Sequence, residues 1–301
     1  MIDRIESNKE RSTLMLKTPQ AECQSEDIML RNNIKLRGKG EKTIILAHGF
    51  GCNQNMWRFI LPFLEDTYQV LLFDYVGSGN SDFSAYEKNR YQQLEGYALD
   101  IIEICDALEL KNVIFVGHSV SSTIGWIASK QRPELFSKMV AVCPSPCFLN
   151  LDEDYQGGFD RQDLEGLVQL MEKDYIGWGN YLAPIVMGSD LSPIGPGMSE
   201  SDTLVHELLS SFCATDVTYS KPFAEATFFS DYRSLLPDIS HPCLILQSSN
   251  DTLVAVSVGE YIKDNLQNAK LEIIEGNGHC LHMTHPLHVF NSMKAFLQEN
   301  E

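Results

Sequence analysis

The chain has 301 residues, long enough to bury roughly three-quarters of its unfolded surface, so its core needs no disulfide or metal staple. Its 41 acidic side chains against 23 basic ones give a formal charge of −18. That charge repels nucleic acid and anionic lipid and argues against both as partners, leaving small molecules and proteins.

Residues 1–28 are polar and charged apart from the short island "TLML", and they lack the apolar centre of a secretory signal; they read as a flexible N-terminal appendage. No later apolar run is long enough to span a bilayer, and the expected compartment is the cytoplasm. The eight cysteines are scattered and form no C-x-x-C or zinc spacing, so reduced thiols are expected.

From "NNIKLRG" onward, strand-like runs alternate with helix-like ones. "KTIILAHG", "YQVLLFDYVG", "KNVIFVGHS", "KMVAVCPS" and, much later, "PCLILQSS" and "AKLEIIEG" include near-continuous apolar stretches, as parallel strands buried on both faces require. Between them, Ala98, Ile101, Ile102, Cys105 and Leu108 recur at helical spacing. Such repetition predicts an α/β fold with a mostly parallel, doubly wound sheet.

From 145 to 235 the strand signal stops and amphipathic helices are predicted, with Leu164, Leu167, Val168 and Met171 on one face. The core is therefore expected at 29–144 and 236–301, with 145–235 as a helical lid over the carboxyl edge of the sheet, where ligands bind in such folds. The turn-rich "GSDLSPIGPGMSESD" is expected to join two lid helices.

The stretch "GHSVSS" follows an apolar strand and precedes a helix. It approximates G-x-S-x-G, the strained turn that exposes a nucleophilic serine, with Ser121 in place of the second glycine. Small neighbours are needed because strand and helix approach closely there; Ser121 adds only a hydroxymethyl group, and Ser121→Gly is expected to be tolerated.

Asp251 follows the strand "CLILQSSN", and His279 sits in a Gly-rich loop after "LEIIEG". Ser119, Asp251 and His279 thus occur in the chain order of such hydrolases, each just past a strand's carboxyl end. Ser119 is the candidate nucleophile, His279 the base and Asp251 the orienting acid. The N–H groups of Val120, after the nucleophile, and Phe50, in "LAHGFGCN", are the candidate oxyanion donors.

Alternatives stand beside these. Asp74 and Asp231 compete as the acid, and His282 and His285 as the base. A metal cluster at "HCLHMTHP" lacks a carboxylate or thiolate pair at ligand spacing. His48 and His118 read as packing around the turn. "DYVGSGNSD" has G-x-G but no lysine of a phosphate loop, and reads as a surface loop.

With "HGFG", "GHSVSSTIGWIASK", "PSPCFLN", "DYQGGFDRQDLEGL" and "GHCLHMTHP" in hand, the chain resembles the α/β-hydrolase superfamily. More narrowly, it resembles the RsbQ-type bacterial stress-response regulators and their plant relatives, the karrikin and strigolactone receptors. In that family both Gly and Ser occur at the position of Ser121; Ala255 departs from the usual proline.

The resemblance implies an inserted four-helix lid and an apolar pocket reaching Ser119. Phe148, Phe159, Trp178 and Phe223 are candidates to line the pocket together with Phe50 and Val120. It further implies no cofactor, a small hydrophobic ester, lactone or enol ether as substrate or ligand, and in the regulator case a sensor-bearing protein phosphatase as partner. Two functions follow: a serine esterase acting through an acyl-enzyme, or a signalling receptor with slow or vestigial hydrolysis.

Overall fold

The computed structural model describes residues 19–152, 155–188 and 200–299. In chain order these form α1 (Pro19–Arg31), β1 (Lys35–Arg37), β2 (Thr43–Ala47), α2 (Leu61–Leu64), β3 (Gln69–Leu72), α3 (Leu94–Ala107), β4 (Val113–His118), α4 (Val120–Gln131) and β5 (Phe136–Val142). Then come β6 (Asn150–Asp152), β7 (Tyr155–Gln156), α5 (Arg161–Lys173), α6 (Tyr175–Met187), α7 (Glu200–Cys213) and α8 (Val217–Phe228). The chain closes with β8 (Cys243–Asn250), α9 (Val256–Asn265), β9 (Ala269–Asn277), α10 (Leu281–Thr284) and α11 (Pro286–Gln298).

Seven strands make one sheet in the order β1-β3-β2-β4-β5-β8-β9. Only β1 runs antiparallel to its neighbour; the other pairings are parallel. The apolar runs explain the interior strands, since every residue of β2 and β4 is buried. The strand order reverses between β2 and β4, so their following loops part and leave a crevice at the carboxyl edge, the usual ligand position in such sheets.

The segment between β5 and β8 carries α5 to α8. It is not wholly helical, as its patterning predicts: it opens with a small antiparallel hairpin, β6–β7. Strands of three and two residues are too short to leave a period-two signal. The Tyr155 hydroxyl, donating to the Cys147 carbonyl at 2.7 Å, and the bridge from Leu149 to Phe159 hold the hairpin down. The turn-rich stretch between α6 and α7 falls for the most part outside the described residues.

The N-terminus also departs from expectation. Residues 1–18 lie outside the described residues, but Pro19 to Arg31 is a helix rather than a flexible tail through residue 28. Ile28 and Met29 pack on the core, and Arg31 reaches Glu103 at 2.5 Å and the buried Asp100 at 3.5 Å. Proline is well placed at a helix's first position, and that was the available signal.

The loop after β3 is buried rather than a surface feature. The Asp74 carboxylate accepts from the backbone N–H groups of Gln54 (2.8 Å) and Asn80 (2.9 Å) and from the Asn33 amide (2.7 Å). A Cβ at Gly79 would lie 2.5 Å from that carboxylate, so the G-x-G spacing lets the loop wrap the chain's own anion. Cys52, Cys105, Cys143, Cys147, Cys213, Cys243 and Cys280 are free, and among the described residues no helix is long and apolar enough to cross a membrane.

Candidate active site

Ser119 sits between β4 and α4 at φ +55°, ψ −125°, a strained conformation for a residue with a side chain. Two hydrogen bonds maintain it: its N–H donates to Val142 O (2.9 Å), and its carbonyl accepts from Ser122 N–H (3.0 Å). The need for glycine at 117 is steric, because a Cβ there would stand 2.7 Å from the Ser121 backbone. Ser121 faces elsewhere, which is why the second small position tolerates a hydroxymethyl group.

The three residues found separately along the chain meet at this turn. His279 Nε2 lies 2.7 Å from Ser119 Oγ, and His279 Nδ1 lies 2.7 Å from Asp251 Oδ2. The second carboxylate oxygen accepts from the N–H groups of Leu253 (2.8 Å) and Val254 (3.2 Å), so the acid is held in place on both sides. All three side chains are largely or fully removed from solvent. A carboxylate acceptor at Nδ1 places the proton on that nitrogen and leaves Nε2 as the acceptor for the serine hydroxyl.

The rivals are disposed of by position. Asp74 is occupied with the buried loop, and Asp231 pairs with Arg233 at 3.0 Å. His282 stacks on Trp57 with ring centroids 4.4 Å apart, and His285 contacts the Thr284 hydroxyl at 2.9 Å. His118 donates from Nε2 to the His279 carbonyl at 2.9 Å, packing behind the turn.

Cys143 was not singled out from the sequence. Its φ is +48°, and its sulfur, an Asp251 oxygen and a His279 nitrogen lie within 4.8 Å of one another. Burial, and next the Asp251 charge, push the thiol's pKa well up, so it is a neutral neighbour of the acid. The carboxylate and imidazole are already committed to each other, to Ser119 and to two backbone amides, which does not suit a resident metal. Only a strand-end position adjoining the elbow could have marked Cys143 beforehand.

Val120 is the first residue of α4, where helix N–H groups have no intrahelical acceptor and the helix dipole favours an anion. Phe50 follows β2 across the crevice. Its ring meets Trp178, Phe223 and Phe228 edge-on with centroids 6.0, 5.6 and 5.6 Å away. Phe228 also meets Phe148 at 5.4 Å, and Phe223 stacks on Tyr97 at 4.1 Å.

An aromatic cluster from the inserted helices therefore surrounds the Phe50 loop. Phe159 is not in it. That side chain lines a separate groove of about 570 Å³ with Leu167, Leu170, Leu182, Ile185 and Leu253, because the bridge to Leu149 turns it toward α5 and α6. Tyr97 and Phe228 belong to the cluster although the sequence did not single them out; each falls on an ordinary helical apolar face.

A seven-stranded, mostly parallel sheet with a serine elbow, a following acid and a final histidine at one edge defines an α/β hydrolase. Comparison with known proteins agrees: the family described as alpha/beta hydrolase fold matches residues 42–177. A karrikin insensitive 2 receptor from Petunia hybrida is 39% identical, covering 85% of this chain and 91% of its own length. Strigolactone esterase D14 from Arabidopsis thaliana is 35% identical over 88% of this chain and 96% of its own. A solved hydrolase from Oleispira antarctica is 53% identical, with a TM-score of 0.86 over 92% of this chain and 98% of that one.

The chain belongs to the α/β-hydrolase family and, within it, to the karrikin- and strigolactone-receptor-like branch. It is a hydrolase by that membership.

Proposed function

We propose that the chain is a serine hydrolase of the esterase or lactonase type, acting on a small apolar ester or lactone through an acyl-enzyme. The observation that carries this reading is the Ser119–His279–Asp251 relay, with both hydrogen bonds at 2.7 Å.

Ser119 Oγ attacks the acyl carbon as His279 Nε2 takes its proton; the carbonyl π pair moves to oxygen, which the Phe50 and Val120 N–H groups receive. Asp251 keeps the imidazole oriented and stabilises the imidazolium. Collapse breaks the bond to the leaving alkoxide, which receives the proton from His279. Water, deprotonated by the same nitrogen, then attacks the acyl-enzyme and releases the acid and Ser119. No cofactor takes part in these steps.

The aromatic cluster supports an apolar acyl or leaving group, since ring faces and edges reward apolar contact and offer few hydrogen bonds. Ser119→Ala and His279→Ala should each lower turnover of p-nitrophenyl acetate by about 10³ or more. Retained turnover in either variant would refute the assignment.

A second reading is that slow hydrolysis, or binding alone, serves signalling in the cytoplasm. It is favoured by the relatives named as receptors and by a direct hydrogen bond between the His279 backbone and α6 of the inserted segment. A small hydrophobic ligand would then alter the contact with a partner, a sensor-bearing protein phosphatase in the regulator case. Partner capture that depends on an intact Ser119 and an added aryl ester supports this reading; capture indifferent to both opposes it.

A further inference from the structure

Ser121, the residue that breaks the glycine pattern of the elbow, is wholly buried. Its Oγ lies 2.5 Å from the His48 carbonyl and 3.0 Å from the Tyr75 hydroxyl. A carbonyl can only accept, so the serine proton goes to His48 O and the Tyr75 O–H donates to Ser121 Oγ. The hydroxyl thus joins the first turn of α4 to the loop that follows β2.

The next peptide of that loop is also fixed. The Gly49 carbonyl accepts from His48 Nδ1–H (2.9 Å) and from Cys52 N–H (3.2 Å). His48 Nε2 in turn accepts from Tyr75 N–H (3.2 Å), which fixes the tautomer. Among the described residues no peptide is cis, so the Phe50 N–H points opposite the Gly49 carbonyl. Its direction is therefore set by the His48 ring, and the His48 backbone is held by Ser121.

We propose that Ser121 is a positioning residue for the oxyanion hole. It ties the helix turn carrying the Val120 N–H to the loop carrying the Phe50 N–H, so that the two donors keep a constant separation while the oxyanion forms. Glycine or alanine at this position would remove that tie and leave the two halves of the hole joined through packing and the β2–β4 ladder, whose last paired residues are Ala47 and Gly117. Glycine, expected from size alone to be tolerated, should therefore cost activity. Preorganised donors act chiefly on the transition state, so the effect belongs in kcat rather than KM. The inference rests on the serine-hydrolase reading.

The test uses Ser121→Ala and Tyr75→Phe in the full chain, each checked for an unchanged melting transition. With p-nitrophenyl acetate, Ser121→Ala should lower kcat about tenfold or more, short of the roughly 10² to 10³ for outright loss of a donor, with KM within about twofold. Affinity for an alkyl trifluoromethyl ketone, whose tetrahedral adduct bears the oxyanion, should fall by the same factor as kcat/KM. Tyr75→Phe, which keeps the bond from Ser121 to His48, should lose less.

Amide hydrogen exchange at Phe50, read by NMR, reports on the loop whatever the reaction and should quicken in Ser121→Ala. Wild-type kcat, ketone affinity and Phe50 exchange in Ser121→Ala would overturn the proposal. Turnover that survives Ser119→Ala would instead remove the hydrolase reading, and the Phe50 exchange comparison would then decide the clamp alone.

Discussion

The His279 backbone N–H donates to the Val186 carbonyl at 2.7 Å, so the histidine of the relay hangs from the last turn of α6. Next to it, Gly188 at φ +66° and Gly278 at φ +85° press backbone against backbone: a Cβ on Gly278 would stand 2.5 Å from Met187 C. The inserted helices and the catalytic loop thus meet without an intervening side chain. Any displacement of the end of α6 is transmitted to the imidazole.

Gly278→Ala tests that contact. The new methyl must enter a space occupied by backbone, at a φ that disfavours a side chain, so stability should fall by more than about 1 kcal/mol. In protein that remains folded, ester turnover should fall as well. Urea unfolding and initial rates measured side by side check both; a variant with wild-type stability and rate would show that the junction is slack.

Buried histidines set the response to acid. His282 has neither ring nitrogen paired and is held near a pKa of about 3, by burial first and then by the neighbouring His279. His48 and His118 are lowered as well, chiefly by burial. Each stays neutral when folded but takes up a proton when unfolded below about pH 6.5. Their contribution to stability is complete above that pH and is lost as pH falls below it, for His282 down to about pH 3, by up to about 1.4 kcal/mol per pH unit per histidine. His282→Phe, which preserves a ring against Trp57, should flatten this acid limb by about one proton; an unchanged slope in urea unfolding between pH 6.5 and 4 would contradict it.

The aromatic cluster and the outer groove separate two phenylalanines. Phe223 touches the rings of Phe50, Tyr75 and Tyr97, so Phe223→Ala should cost about 3 kcal/mol or more and raise KM for aryl esters. Phe159→Ala should leave KM unaltered, because its side chain lies in the groove beside α5 and α6. Steady-state kinetics with p-nitrophenyl butyrate distinguish them, and equal effects would mean that the groove opens to Ser119.

The interior of the sheet was legible because its strands carry apolar runs, and Ser119, Asp251 and His279 were singled out because the first two directly follow a strand and the third is separated from β9 only by Gly278. What escaped was set by tertiary contact. The β6–β7 hairpin is too short for a period; α1 is held by Arg31 on the buried Asp100; and the side toward which Phe159 turns depends on a bridge to Leu149. Ser121 is the sharpest case. Its residue type shows that it is small, but only the fold brings the His48 carbonyl, 73 positions away, to its hydroxyl.

The central claim is that Ser119 forms the acyl-enzyme, and intact-mass spectrometry after treatment with a fluorophosphonate tests it most directly. A single phosphonyl adduct should appear on wild-type protein, map to the peptide containing Ser119 and be absent from Ser119→Ala. An adduct on another residue, or none while esterase activity persists, would contradict it.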